Sequence, residues 1–259
     1  MPTITFPLEI EITILELLAE DYEGHWALKS CSLVCQAFLP ICRKHIFRNI
    51  VLGLPPIIHA FERLLRETPE IADYIRKLDY TIQETDLASP SIQETLKQIS
   101  RLEFLSVRDD NLYRPGWSNY SIRPALLRLL HLPTLTHFKL NNINSFPISD
   151  LIPCVNLKYL DINYVKMEAG NTFPATLPEH SIQLNEFIAG PGACYAVKKL
   201  STARRPDGQP IIDFGSLSKI TVDMDLFTEV PQELFRRCHS LTNVHISCKR
   251  YLHCHRQDF

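Results

Sequence analysis

The side chains most able to do chemistry in this sequence gather near its C-terminal end. They are Cys238, His245, Cys248, His253, Cys254 and His255. Thiolate and imidazole groups are ligands that zinc prefers, but structural zinc sites take them in closely spaced pairs such as Cys-x-x-Cys. No Cys-x-x-Cys pair occurs anywhere in the chain. We therefore expect a solvated tail here, with no metal bound.

A second group of residues matches a nucleotide-binding motif only in part. Gly190-Pro191-Gly192 begins like Gly-x-Gly-x-x-Gly, yet Tyr195 occupies the position of the third glycine. The sequence also contains no phosphate-binding loop, no Gly-x-Ser-x-Gly and no His-Glu-x-x-His pattern. We expect a protein that is not an enzyme and uses no cofactor. A hydrolase whose site combines residues distant in sequence stays an alternative.

The charge of the chain favours neither nucleic acid nor a membrane surface as a partner. The 259 residues include 27 Lys and Arg against 29 Asp and Glu, which leaves a net charge of −2. A protein that binds either polymer by charge carries a broad basic field instead. Residues 1–24 are acidic, because they contain Asp and Glu but no Lys or Arg.

No segment of the sequence resembles a secretion signal or a membrane span. The longest stretches without Asp, Glu, Lys or Arg are 30–42 and 49–61, and both are too short to cross a bilayer. We therefore expect a cytoplasmic or nuclear protein, in which the cysteines stay reduced.

The first fifty residues have the apolar spacing of short helices. Apolar residues recur at steps of three and four from Leu8 to Leu18, as on one face of a helix. A second helical pattern covers residues 26–38, and Pro40 is expected to interrupt it before it continues. We expect this helical unit to end near Leu52.

Beyond residue 52 the pattern apolar-x-x-apolar-x-apolar recurs, and its residues are expected to be buried. The members are Ile75/Leu78/Tyr80, Leu102/Leu105/Val107, Leu135/Phe138/Leu140, Leu157/Leu160/Ile162, Leu184/Phe187/Ala189, Leu217/Ile220/Val222 and Leu241/Val244/Ile246. They start 22 to 33 residues apart, and a leucine-rich repeat has roughly 20 to 29 residues. Helical patterns precede several members, which is typical of a parallel sheet.

The repeating pattern predicts an α/β fold, in which an irregular leucine-rich-repeat-like solenoid has a curved parallel sheet. A chain that is 45% hydrophobic also produces single matches by chance, so the prediction depends on their number and order. Three segments rich in Gly, Pro, Asn and Ser are expected to form surface loops: 109–123, 168–179 and 190–210.

Residues between the patterned positions are expected to form a binding surface. Side chains alternate along a strand, so these residues face away from the core. Near the middle of the sheet they are Arg108, His137, Lys139, Tyr159, Asp161 and Asn163. Both charges together with an aromatic ring suit a protein ligand, and solenoids commonly bind on the concave surface. We expect these residues to bind a partner protein.

An ordered set of N-terminal residues matches a known binding module. The set consists of Phe6-Pro7-Leu8-Glu9-Ile10, Ile14-Leu15, Leu28, Cys31-Ser32-Leu33-Val34-Cys35-Gln36-Ala37-Phe38, Arg43 and His45-Ile46-Phe47-Arg48. It resembles an F-box, and it looks most like the F-box-like proteins of fungi. In that family the motif docks on a Skp-type adaptor of a cullin-based ubiquitin ligase, and leucine-rich repeats behind it bind the protein to be ubiquitinated. The resemblance implies an adaptor interface at or near Pro7, Ile10, Ile14, Leu33, Val34 and Phe38.

The resemblance and the repeats together predict two units and two alternative functions. Residues 1–52 form the F-box-like helical module, and residues 53–259 form the solenoid, whose C-terminal end shows no capping element. The first function is a substrate-recognition adaptor of a cullin-based (SCF-type) ubiquitin ligase, with an unidentified protein as its substrate. The alternative is a protein-interaction scaffold in which the helical segment only caps the solenoid.

Overall fold

A computed structural model of the chain describes residues 7–20, 24–34, 36–83, 90–110, 116–170, 176–224 and 232–248. The α-helices are α1 (Leu8–Glu20), α2 (Gly24–Cys31), α3 (Phe38–Ile46), α4 (Pro55–Glu67), α5 (Pro90–Leu96), α6 (Arg123–Leu130), α7 (Cys194–Thr202) and α8 (Gln232–Arg237). The strands are β1 (Asn49–Leu52), β2 (Lys77–Ile82), β3 (Phe104–Asp109), β4 (His137–Asn141), β5 (Phe146–Pro147), β6 (Tyr159–Asn163), β7 (Met167–Glu168), β8 (Ile182–Gln183), β9 (Glu186–Ala189), β10 (Ile212–Asp213), β11 (Lys219–Met224) and β12 (Asn243–Cys248). Among these helices, none combines the length and the hydrophobicity that crossing a membrane requires. The fold is mixed α/β.

The three N-terminal helices share a small hydrophobic cluster of their own. Its buried members are Leu15 of α1, Leu28 of α2 and Cys42 of α3. The second helix ends at Cys31, earlier than its apolar pattern predicts. Pro40 does not interrupt a helix as expected, because it lies in the first turn of α3. A proline is tolerated there, since the first amides of a helix have no intrahelical acceptor.

Eight strands form one parallel sheet in the order β1-β2-β3-β4-β6-β9-β11-β12. Every neighbouring pair in this sheet is parallel. The register aligns the apolar pattern, so that Leu105 lies beside Phe138 and Phe138 lies beside Leu160. The parallel sheet that the pattern predicts is therefore confirmed. The short strands pair separately, β5 with β7 and β8 with β10.

One hydrogen-bond arrangement recurs where the strands of this sheet begin. The carbonyl of the residue before one strand accepts hydrogen bonds from two successive amides at the start of the next strand. The Glu103 carbonyl, for example, accepts from the amides of Thr136 and His137. The same pair of bonds is made by the carbonyls of Arg48, Arg76, Thr136, Lys158, Asn185 and Ser218. Successive segments therefore dock on one another in the same way, although the number of residues between them varies.

One face of the sheet is buried against the helices. Patterned residues of the strands and inward-facing residues of α4 to α8 belong to a single hydrophobic cluster. The buried strand residues include Leu105, Val107, Leu140, Leu160, Ile162 and Val222, as the pattern predicts. The prediction is wrong for Val244 and Ile246, which are 49% and 50% exposed. Val244 and Ile246 lie on β12, which among the described strands has a neighbour on one side only.

The first strand of the sheet lies in a segment that was expected to be helical. Asn49–Leu52 pairs with β2, and Leu52 is fully buried in the large cluster. Phe47, Ile50 and Leu52 have the same apolar-x-x-apolar-x-apolar spacing as the later repeats. The pattern therefore begins one repeat earlier than the predicted start of the sheet.

Two of the predicted surface loops contain buried structure. The segment 190–210 includes helix α7, in which Ala196, Val197 and Leu200 are buried at helical spacing. In the segment 109–123, Trp117 is buried and its Nε1 donates a hydrogen bond to Asp150 Oδ2 over 2.9 Å. Gly-rich and Pro-rich composition is therefore misleading here, because the apolar residues between those positions pack into the core.

Candidate functional site

The face of the sheet opposite the helices carries polar and aromatic side chains, and we call it the polar face. Its residues alternate with the buried ones along each strand. On the central strands they are Lys77, Asp79, Phe104, Ser106, Arg108, His137, Lys139, Asn141, Tyr159, Asp161 and Asn163. All of the predicted partner-binding residues lie in this set, on the neighbouring strands β3, β4 and β6. The alternation of strand side chains brings them together, as the sequence predicts.

Three rings form a row across the polar face. The ring centroids of Phe104 and His137 are 6.2 Å apart, and those of His137 and Tyr159 are 5.3 Å apart. On the adjacent strand, Lys77 Nζ lies 6.0 Å from the Phe104 ring centroid. Rings at these separations attract one another and also attract cations. The row is therefore a continuous aromatic surface, in which neighbouring rings are tilted by 36° and 31° to one another.

An ion pair lies next to this row. Lys139 Nζ is 2.9 Å from Asp161 Oδ2, and Asn163 Nδ2 donates a hydrogen bond to Asp161 Oδ1 over 2.6 Å. Asp161 is buried, with only 4% of its surface exposed. Its carboxylate therefore orients Lys139 and Asn163 and offers a partner little surface of its own. The sequence shows on which face Asp161 lies but not how deeply its neighbours cover it.

A depression of about 370 Å3 lies on the polar face around Ser106. The small Ser106 side chain stands between Asp79 and Lys139, which occupy the same level on the neighbouring strands. Arg108 also lines the depression, and its Nε lies 3.3 Å from Asp110 Oδ1. The depression therefore presents cations, a carboxylate and a hydroxyl to a side chain of a partner protein.

The Tyr159 hydroxyl stays protonated in this setting. Burial raises the pKa of Tyr159 to about 12, and the carboxylates of Asp161 and Glu186 add to the shift. The phenol is therefore neutral near pH 7 and is able both to donate and to accept a hydrogen bond. Such a group suits recognition of a polar atom on a protein ligand.

The residues that the F-box resemblance places at an adaptor interface are apolar and largely exposed. The exposed fractions are 47% for Ile10, 49% for Ile14, 87% for Leu33 and 71% for Val34. Ile10 and Ile14 share one face of α1, because residues four apart are neighbours on a helix. Pro7 is also exposed, whereas Phe38 is half-buried against the small N-terminal cluster.

Sequence reasoning missed two large exposed side chains among the N-terminal helices. Leu17 of α1 and Trp26 of α2 are 62% and 73% exposed. Leu17 follows Ile10 and Ile14 at helical spacing, so the apolar periodicity of α1 already indicates that Leu17 shares their face of the helix. The exposure of Trp26 is not indicated by the sequence, because an apolar residue in a helix is predicted to be buried until its neighbours in the fold are known.

The metal-capable residues near the C-terminal end are only partly within the described ranges. Cys238 is half-buried, and burial raises the pKa of its thiol. His245 is exposed on β12. His253, Cys254 and His255 lie outside the described residues. Over the ranges that the structure describes, no group of three His, Cys, Asp or Glu side chains could hold a metal ion.

The chain was compared with protein-family models and with curated proteins. No protein-family model matches the chain, and no curated protein matches it. The exposed apolar residues of the N-terminal helices and the polar face are therefore the features of the molecule that bear on its function.

Proposed function

We propose that the protein is the substrate-recognition adaptor of a cullin-based (SCF-type) ubiquitin ligase. The N-terminal helices form an F-box that binds a Skp-type adaptor. The sheet and its helices form an irregular leucine-rich-repeat-like solenoid, and its polar face binds the protein to be ubiquitinated. In this proposal the chain catalyses no reaction itself and acts by holding two partners.

The exposed apolar side chains of the N-terminal helices carry the proposal. Ile10, Ile14, Leu33 and Val34 stand in solvent around a cluster with few buried members. Removing apolar surface from water is favourable by roughly 25 cal/mol per Å2. A small helical unit that exposes these residues therefore gains free energy when a partner protein covers them.

The capping alternative implies a different distribution of side chains. A capping unit places its apolar residues on the adjacent repeat and its polar residues outside. Here a polar contact links the helices to the rest of the chain, with Arg43 Nη1 of α3 3.7 Å from Glu70 Oε1. Ile10 and Ile14 of α1 meanwhile remain about half exposed. This distribution favours a unit that binds a further protein.

The repeated docking of strands supports the second half of the proposal. Each strand of the sheet after β1 begins with the same pair of hydrogen bonds to the segment before the preceding strand. Stacked units of this kind build a continuous surface from side chains of successive repeats, which suits recognition of another protein. The polar face carries aromatic rings and both charges along that surface.

Co-purification with a Skp-type adaptor tests the proposal. The protein is co-expressed with the adaptor, and the variant Pro7→Ser, Ile10→Ser, Val34→Ser is compared with the unaltered chain. We expect the variant to lose the adaptor, because the three side chains are exposed and contribute to binding rather than to folding. The matched control is Tyr195→Ser with Val244→Ser, which removes exposed apolar side chains elsewhere.

The outcomes separate the two functions. Loss of the adaptor in the N-terminal variant alone supports the ubiquitin-ligase role. Failure of the unaltered chain to bind any Skp-type adaptor, combined with aggregation after removal of residues 1–46, which leaves β1 in place, would support the capping scaffold instead. Equal adaptor binding by the variant and the unaltered chain would contradict the assignment of the interface.

A further inference from the structure

The strand β1 forms one edge of the eight-stranded sheet. Among the described strands only β2 pairs with it. The Arg48 carbonyl accepts a hydrogen bond from the Lys77 amide, which sets the alternation along β1. In a parallel ladder the amides of Ile50 and Leu52 then face β2, while those of Asn49 and Val51 face the open edge. This edge therefore presents backbone donors and acceptors to an added strand.

Although β1 is short, at four residues, its edge carries neither the charges nor the proline that protect many edge strands. Native proteins protect edge strands with charged residues, proline, bulges or covering elements. Asn49–Leu52 contains neither a charged residue nor a proline. Apolar side chains around it are exposed instead, with Val51 and Leu54 at 59% and Ile57 at 45%. An exposed edge beside apolar side chains is suited to pairing with another chain.

A groove of about 490 Å3 runs beside this edge, between α2 and α4. Its apolar lining includes Ile50, Val51, Ile57 and Leu64. The volume falls within the roughly 300 to 1,000 Å3 of typical ligand sites. A chain segment paired with β1 would place alternate side chains in this groove.

The charged residues that line the groove indicate which charge its ligand carries. Lys29 of α2 and Arg63 of α4 line it, together with His25, and Glu67 is its one acidic residue within the described chain. Lys29 contacts the Trp26 ring at 4.7 Å. Within the described ranges neither Lys29 nor Arg63 has a carboxylate within ion-pair distance. An acidic ligand would therefore supply the missing counter-charges.

We propose that the edge of β1 binds an extended peptide segment of a partner protein, with alternating apolar and acidic residues, as an added strand. Main-chain hydrogen bonds to the edge supply affinity, and alternate side chains supply specificity. This inference goes beyond the adaptor proposal and does not depend on it, because none of the residues assigned to the adaptor interface lines the groove.

Fluorescence anisotropy with labelled peptides tests the proposal on the full-length chain. The probe is an octapeptide of alternating Val and Glu. One comparison peptide has Lys in place of Glu, and a second keeps the side chains but is N-methylated on every amide. We expect the Val-Glu peptide to bind best. The Lys peptide is expected to be weaker by about tenfold or more, since it meets like charges, and the methylated peptide is expected not to bind, since it cannot pair as a strand.

Two protein variants test where the peptide binds, and each has its own control variant. Arg63→Glu is expected to weaken the Val-Glu peptide roughly tenfold and to improve the Lys peptide. Arg66→Glu on the same helix, outside the groove, is the matched control and is expected to leave both affinities unchanged. Val51→Pro removes an outward amide without touching the ladder to β2 and is expected to weaken binding by about two- to tenfold. Val51→Ala keeps that amide and is expected to cost less.

Three results would overturn the proposal. One is no binding of the Val-Glu peptide by the full-length chain, and another is equal binding by Arg63→Glu and the unaltered chain. The third is binding only after Ile4→Ser and Phe6→Ser are introduced, which would assign the groove to the chain's own residues 1–6. Loss of Skp-type adaptor binding does not change any of these peptide affinities. Either proposal can therefore be contradicted without the other.

Discussion

Lys139 and Asp161 form an ion pair across neighbouring strands, with Lys139 Nζ 2.9 Å from Asp161 Oδ2. The carboxylate is almost fully buried, whereas the ammonium group is partly exposed. Removing the cation leaves a buried charge with the Asn163 amide as its one hydrogen-bond partner among the described residues. The pair therefore holds the middle of the polar face in one arrangement.

Lys139→Met is expected to lower the free energy of unfolding by about 1 to 3 kcal/mol. Breaking a fully buried pair costs about 3 to 5 kcal/mol, and exposure of the lysine reduces that figure. The control is Lys219→Met, whose partner Glu186 is more exposed, so a loss of at most about 1 kcal/mol is expected. Urea denaturation measures both, and equal losses would show that burial of Asp161 is unimportant.

Leu160→Ala is expected to cost roughly 2 to 5 kcal/mol of unfolding free energy, because Leu160 is fully buried in the middle of the sheet. Ile246→Ala removes an aliphatic side chain from the half-exposed end strand and is expected to cost less than about 1.5 kcal/mol. Denaturant titration of the two variants side by side checks the ranking. A larger loss for Ile246→Ala would mean that β12 is covered in solution.

Stability is expected to fall at high pH because of Tyr159. Its pKa is about 12 in the folded protein against an ordinary value of 10.0. The unfolded chain therefore loses this proton first as pH rises, so the contribution is fully present below about pH 10 and is lost towards about pH 12. Tyr159→Phe removes this titration, and its unfolding free energy should fall less over that interval. Parallel curves for the two proteins would contradict the raised pKa.

Tyr159→Ala and Arg108→Ala are expected to weaken the binding of a target protein by about 2 kcal/mol or more each. Tyr and Arg are the residue types most enriched among interface hot spots. Lys198→Ala on α7, on the helix side of the sheet, is the control and should not change affinity. Isothermal titration calorimetry with a purified target measures the effect. If both variants bind as tightly as the unaltered chain, segments 109–123 and 190–210 become the next candidates.

Much of the sheet was predictable because its signal is local and repeated. Each strand from β2 to β11 in the large sheet carries three apolar residues at fixed spacing, and that spacing also sets the register, as Leu105 beside Phe138 illustrates. The same rule fails at β12. Ile246 obeys the pattern and is exposed, because burial depends on the neighbouring elements rather than on the residue itself.

The sequence predicts on which face of the sheet the candidate site lies, but it does not predict how deeply the side chains of the site are buried. Alternation places Asp161 and Tyr159 on the polar face, as the sequence predicts. That Asp161 is buried and Tyr159 half-buried depends on which long side chains lie beside them on β4 and β9. The groove at β1 was not predictable, because it requires the position of α2 relative to an edge that was expected to be helical.

The sheet also presents its side chains at regular intervals. Neighbouring strands lie about 4.8 Å apart, so its eight strands present side chains at even steps over about 34 Å. Connections of different length leave this spacing unchanged, because the helices they carry lie on the other side. Four steps of about 4.8 Å nearly equal six residues of an extended chain at about 3.3 Å each, and residues six apart lie on the same face of such a chain. An extended target lying across the strands would therefore present equivalent side chains to the sheet at every sixth residue, and this periodicity would be visible in its sequence.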